Sequence, residues 1–138
     1  MDVLRAYVAY AFQLRAVPSR IALPSALNKH PRIARLLFDL FEASFDPQAA
    51  GSMEDREPRV RELRARFHEA LSDVGLLADD RALRRLAQLI EATVRTNYYR
   101  NGGRAPTKTS GGVPYLSFKF AVRGLEAISR SRLLYEVW

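Results

Sequence analysis

From Leu4 onward, apolar side chains recur at helical spacing in four successive runs broken by proline and glycine, a rhythm that confines the first 99 residues to amphipathic helices. Residues 2–15 set Leu4, Tyr7, Val8, Ala11 and Phe12 on one stripe, and Pro18 and Pro24 are expected to end that helix, with Ser25 to Lys29 offering one further turn. A second helix opens at Pro31, a residue suited to a first helical position. Ile33, Leu36, Leu37, Leu40, Phe41 and Phe45 point inward from it until Asp46-Pro47 stops it. Gln48 to Glu57 is polar, contains Gly51 and reads as a linker between two helical hairpins. The third helix runs from about Pro58 to Val74, burying Val60, Leu63, Phe67, Leu71 and Val74, with Gly75 as its C-cap. The fourth takes an N-cap oxygen from Asp79 or Asp80 and carries Leu83, Leu86, Ala87, Ile90, Val94 and Tyr98 inward.

Beyond Tyr99 the period changes. Asn101-Gly102-Gly103 and Ser110-Gly111-Gly112 bracket a basic loop, after which Pro114 to Phe120 alternates apolar and polar residues as strands do, and Leu133 to Trp138 is a second strand candidate. The expected fold is therefore mainly α: four amphipathic helices in two hairpins, bundle-like, with a small C-terminal β hairpin or strand pair. The organisation divides into a helical domain over 1–99 and a loop with a terminal β element over 100–138. The final strand is apolar and has no partner after it, so it and Tyr115 to Phe120 are expected to be covered by residues outside the chain and otherwise to self-associate.

The chain's 138 residues suit one domain, and the absence of cysteine removes disulfide frameworks, thiolate metal sites and a catalytic thiol. No apolar run reaches the roughly 18–20 residues of a membrane span, and no cleavage pattern follows Ala6 to Phe12, so no membrane association is expected and the location is taken as cytoplasmic. Charge is unevenly placed. Residues 1–80 hold 11 basic and 12 acidic side chains, whereas residues 81–138 hold 11 basic and 3 acidic ones, a surplus of +8. Such a half can face solvent, missing protein or a polyanion, which makes a stand-alone basic helical nucleic-acid-binding protein the alternative function class.

Few residues invite chemistry. His30 and His68 lie 38 positions apart with no helix-face ligand spacing, so His30 is read as a contact at the start of its helix and His68 as a surface residue. No Gly-x-Ser-x-Gly elbow exposes a nucleophile. The glycine pairs leave a helix and enter a strand, the reverse of a phosphate loop, although Arg100, Arg104 and Lys108 make that segment a weak anion contact. Asp39, Glu42 and Glu91 read as ordinary surface pairs with arginines at helical spacing, such as Arg35 before Asp39, while Tyr115, Phe118 and Phe120, aromatic residues on a strand near basic ones, either pack or could stack bases. No catalytic, cofactor-binding or metal-ligating residue is assigned.

Four stretches carry a resemblance: Leu4-Arg5-Ala6-Tyr7 with Tyr10 and Gln13; His30 to Leu36 through Phe45-Asp46-Pro47; Asp80-Arg81 and Leu83-Arg84-Arg85 through Arg95-Thr96-Asn97-Tyr98-Tyr99; and Pro114 to Lys119. In order and spacing they resemble the large NAD-dependent glutamate dehydrogenases of bacteria. The resemblance implies a helical segment immediately before a catalytic domain that oxidises glutamate to 2-oxoglutarate and ammonia with NAD. It implies no NAD in the segment itself, an architectural or regulatory role, its own parent's catalytic domain as partner, a homo-oligomer and no specific nucleic acid. The chain departs from the family pattern in a longer loop over 101–113 and in Ser129 to Arg132, where prolines are common, and Met1 falls at a point internal to the family's chains, so a piece of a longer protein is expected.

Overall fold

The computed structural model of the chain describes residues 2–48, 53–101, 116–121 and 135–138. Helices α1 (Asp2–Gln13), α2 (Ala22–Lys29), α3 (Pro31–Phe45), α4 (Met53–Leu71) and α5 (Leu77–Ala92) are followed by β1 (Thr93–Thr96), a 3₁₀ turn (Tyr98–Asn101), β2 (Phe118–Ala121) and β3 (Tyr135–Val137). The class is the expected one, with one helix and one strand more among the described residues than the periodicity announces.

The first helix ends on a Schellman motif rather than at Pro18. Arg15 takes a left-handed conformation at φ 56°, its N–H donates to the Phe12 carbonyl (3.0 Å), and the Ala16 N–H donates to Ala11 (2.9 Å). A side chain in that conformation costs about 1 kcal/mol that glycine would not. Arg15→Gly is therefore expected to raise stability by roughly 0.5–1 kcal/mol, read as a higher melting temperature.

Pro24 does not break the chain as expected. It occupies the third position of α2, where a helix's N–H groups lack partners anyway, so a full helix forms instead of a single turn. His30 closes α2 through its N–H to the Ala26 carbonyl (3.0 Å) and opens α3 by accepting from the Ala34 N–H (3.0 Å). The end of α3 at Asp46-Pro47 is as the sequence predicts, and the Asp46 N–H still reaches the Glu42 carbonyl at 2.8 Å.

The linker expected over Gln48 to Glu57 is shorter, because α4 already begins at Met53 and carries Pro58 within it. Arg56 explains part of this. Its guanidinium donates to the carbonyls of Ser44 (3.2 Å) and Asp46 (3.0 Å), satisfying the exposed acceptor end of α3 and tying α4 to it. Leu63, Phe67 and Leu71 are buried as expected. Gly75 is not the cap: α4 stops at Leu71 in a tightened turn in which the Val74 N–H donates to the Leu71 carbonyl (3.0 Å).

For α5 the correction is at both ends. Neither Asp79 nor Asp80 caps it; both sit in its first turn, where carboxylates favour the positive end of the helix. The helix ends at Ala92 instead of running to Tyr98, because Thr93 and Val94 begin a strand that pairs with β2. Val94, expected inside, is 51% exposed. Tyr98 is buried as expected, but from the 3₁₀ turn.

The strands form one antiparallel sheet in the order β1-β2-β3, with Thr93 opposite Phe120, Arg95 opposite Lys119, and Lys119 opposite Val137. Phe118 and Phe120 alternate inward as predicted, and α1 covers them from within the chain: Tyr10 stacks on Phe120 at 4.5 Å and 13°, and Tyr7 lies 4.5 Å from Phe118. The expectation that residues outside the chain cover these aromatics is thereby corrected for Phe118 and Phe120. Tyr115, Leu133, Leu134, Arg104, Lys108 and the glycine pairs lie outside the described residues.

Candidate functional site

Two places combine buried polar groups or charge with shape: the junction of α1, α5 and the sheet, and the surface around β1 and the 3₁₀ turn. The junction forms because the β-branched Thr93 ends α5 with its hydroxyl turned back, donating to the Leu89 carbonyl at 2.9 Å. That bond uses Thr93's only proton, so in the 2.7 Å contact with the Tyr7 hydroxyl it is Tyr7 that donates. Burial pushes the Tyr7 phenol well above its ordinary range against the smaller opposing effect of the Thr93 bond, which keeps it a neutral donor. At the rim, the Trp138 indole N–H donates to Gln13 Oε1 at 2.6 Å, fastening the residue after β3 to α1. These groups are matched to one another and have no proton or lone pair poised for a substrate; their chemistry is adhesive.

The surface around β1 is different. One cleft lies between β1 and the α3–α4 pair, with Leu40, Phe45, Val60 and Ile90 in its floor and Arg56, Arg64, Arg95 and Arg100 among its lining. Tyr99 stacks on Phe41 at 6.0 Å, and among the described residues its buried hydroxyl has no hydrogen-bond partner. Desolvation pushes that phenol up, helped by the negative charges of Asp46 and Glu42. A second cleft opens on the outer face of the sheet, where Arg95, Arg100 and Lys119 meet Thr96, Asn97 and Ser117. Of the loop cations singled out in the sequence, Arg100 is in this cleft. Arg95 and Lys119 are 24 positions apart, and only the strand register brings them together.

The other candidates are placed plainly. His30 meets Asp79: Nε2 stands 3.7 Å from an Asp79 carboxylate oxygen that also accepts from Lys29 Nζ at 3.1 Å, so the joint between α2 and α3 is clamped to the start of α5. His68 is exposed on α4 beside the Phe67 ring. Asp39 pairs with Arg35 four positions before it, as the sequence suggests, whereas Glu42 meets the same Arg35 from seven positions away at 4.0 Å and Glu91 pairs across helices with Arg64 of α4 at 2.6 Å, which helical spacing does not announce. Phe118 and Phe120 face the core and cannot stack bases. Among the described residues no group of three or more His, Asp or Glu side chains could hold a metal ion, and no helix is long and apolar enough to cross a membrane.

Two family models match the chain. Residues 1–47 match that of glutamate dehydrogenase, helical motif 3, and residues 66–138 match that of the bacterial NAD-glutamate dehydrogenase catalytic domain. Among curated proteins, the NAD-specific glutamate dehydrogenase of Pseudomonas aeruginosa is 37% identical over 136 residues, that of Halomonas elongata 36% over 139, and that of Mycobacterium tuberculosis 39% over 100. The first two alignments cover 99% of this chain but 8% of the relative, and the third covers 70% and 6%. The chain thus spans less than a tenth of the length of these relatives. No solved structure matches it significantly.

Proposed function

We propose that this chain, which belongs to the bacterial NAD-specific glutamate dehydrogenase family, is a non-catalytic helical segment that positions or regulates the catalytic domain of such an enzyme. One observation carries the reading. The segment matched as helical motif 3 and the segment matched by the catalytic-domain model share a core, with Tyr7 and Tyr10 of α1 packed on Phe118 and Phe120 of β2. A tilt of α1 therefore moves the sheet. The parent enzyme would convert glutamate and NAD to 2-oxoglutarate, ammonia and NADH, with NAD bound beyond this segment. The remainder of its catalytic domain would be the segment's partner, within a homo-oligomer.

None of the described βα connections is a strand followed by a glycine loop and a helix, the unit that seats a dinucleotide's diphosphate. Calorimetric titration of the 138-residue chain with NAD is expected to show no saturable heat, and glutamate with NAD is expected to give no NADH absorbance. In the parent enzyme, Tyr7→Ala should lower kcat roughly ten- to a hundredfold although Tyr7 touches no substrate, because small displacements of catalytic groups are that costly. Turnover or NAD binding by the chain alone, or an unchanged kcat in the variant, would refute the positioning role.

A further inference from the structure

We propose that the free edge of β1 is a docking site for an extended, acidic stretch of polypeptide, supplied by the part of the parent enzyme's catalytic domain that lies outside this chain. The proposal rests on the reading of the chain as a segment of such an enzyme, and it names the surface through which the two meet. In the sheet order β1-β2-β3, β1 has β2 on one side and, among the described residues, no strand on the other. That other side opens on the cleft of about 660 Å³ between β1 and the α3–α4 pair, and Thr93, Val94, Arg95 and Thr96 all line it. Successive strand residues point to opposite faces, so a cleft above one face would meet every second residue. One that meets four in a row runs along the strand's edge, where the main-chain N–H and C=O groups are.

The opposite wall is a helix face. Arg56, Val60 and Arg64, one turn apart on α4, stand across from β1, and Leu40, Phe45 and Ile90 make the floor apolar. Both walls are braced, because Arg56 grips the carbonyls at the end of α3 and Arg64 meets Glu91 of α5 at 2.6 Å. A slot between a sheet edge and a helix suits a strand, which lies about 4.8 Å from its neighbour, pairs with its main chain and turns alternate side chains onto the floor. A helix in the same slot leaves the edge unpaired, since its own N–H and C=O groups bond internally. Charge sets the composition of the strand. Arg35, Arg61, Arg64 and Arg84 each meet a carboxylate. Arg95 and Arg100, exposed on the cleft's lining, form no ion pair among the described residues, and carboxylates on the incoming strand supply the partners. As to source, β1 and β2 lie within residues 66–138, matched by the catalytic-domain model, and the chain covers only 8% of the two relatives that match it over 99% of its length. Most of the polypeptide that could complete this sheet is therefore outside the chain.

Amide hydrogen exchange, followed by mass spectrometry on the 138-residue chain and on the full-length enzyme that contains it, is the test. Those amides of Val94 to Thr96 that point away from β2 should exchange freely in the chain and at least about tenfold more slowly in the enzyme. Amides of Phe118 to Phe120, on the strand between β1 and β3, should be protected in both. Arg95→Glu with Arg100→Glu repels an acidic strand, so in the enzyme it should return β1 to near the exchange rate of the isolated chain while β2 stays protected, the sign of an intact sheet. Arg32→Glu with Arg81→Glu reverses the same charge at exposed positions near the starts of α3 and α5, and should change exchange at β1 less than about twofold. Equal rates at β1 in chain and enzyme, equal losses in the two double variants, or slowing in the isolated chain as its concentration rises, which would make a second copy the occupant, overturns the proposal. Those outcomes leave the positioning role standing, since that role is read from turnover in Tyr7→Ala and not from exchange at β1.

Discussion

Leu86→Asp is expected to abolish the cooperative thermal transition of the chain, while Arg84→Ala, two residues away on the same helix, leaves the melting temperature nearly where it was. Leu86 is fully buried in the cluster that joins α5 to the rest of the molecule. Removing such a leucine costs roughly 2–5 kcal/mol in lost burial and cavity, and a carboxyl without a partner in that space adds a few kcal/mol even if it stays protonated. Together these approach the ~5–15 kcal/mol that holds a typical domain folded. Arg84 is exposed and meets Asp80 one turn earlier at 2.9 Å, a surface pair whose loss shifts stability by no more than about 0.5 kcal/mol. Far-UV circular dichroism during a melt ranks the two variants. The reverse order would mean that the buried face of α5 is not the one described.

Why α5 could be phased from the sequence, while its end could not, is a matter of which forces act locally. Leu83, Leu86, Ala87 and Ile90 share a stripe because a helix has 3.6 residues per turn, and all four are buried. Val94 and Tyr98 continue that spacing by coincidence. Pairing with β2, more than twenty residues further along the chain, outweighs the local preference at Thr93 to Thr96, a segment in which three of four residues are β-branched. The beginning of α4 was hidden for the opposite reason: Met53 to Glu57 is charged and has no apolar rhythm, and its anchor, Arg56, reaches backbone carbonyls that no side-chain pattern reveals. Pro24 misleads because proline is costly within a helix but harmless in its first turn. The cleft on the sheet follows the same logic. Arg100 stood out as part of a basic stretch, but the opposition of Arg95 and Lys119 exists only once two distant segments are in register.

Register also decides what the last strand does. A chain ending at Arg132 is expected to melt roughly 15 °C lower than the full chain and to scatter more light at equal concentration. In the full chain the outer edge of β2 is closed by β3, with Phe118 and Trp138 exchanging backbone hydrogen bonds at 2.8 and 2.9 Å. The Trp138 ring lies 6.1 Å from Phe118 and 5.6 Å from Tyr10. Loss of a packed tryptophan costs about 3–5 kcal/mol, and each unmade backbone bond at the new edge about 1 kcal/mol. The truncated sheet then presents β2 as a bare edge beside the aromatic rings that Trp138 had covered, the arrangement that recruits strands from other chains. In the full chain β3 is satisfied along its inner edge, so the self-association anticipated from an unpartnered apolar strand is confined to its short outer edge, where Val137 is 72% exposed. Light scattering across a concentration series tests both halves of this. Equal masses and equal melting temperatures for the two chains would mean that β3 does not close the sheet, and that the hold of Trp138 on α1 contributes nothing to the shared core.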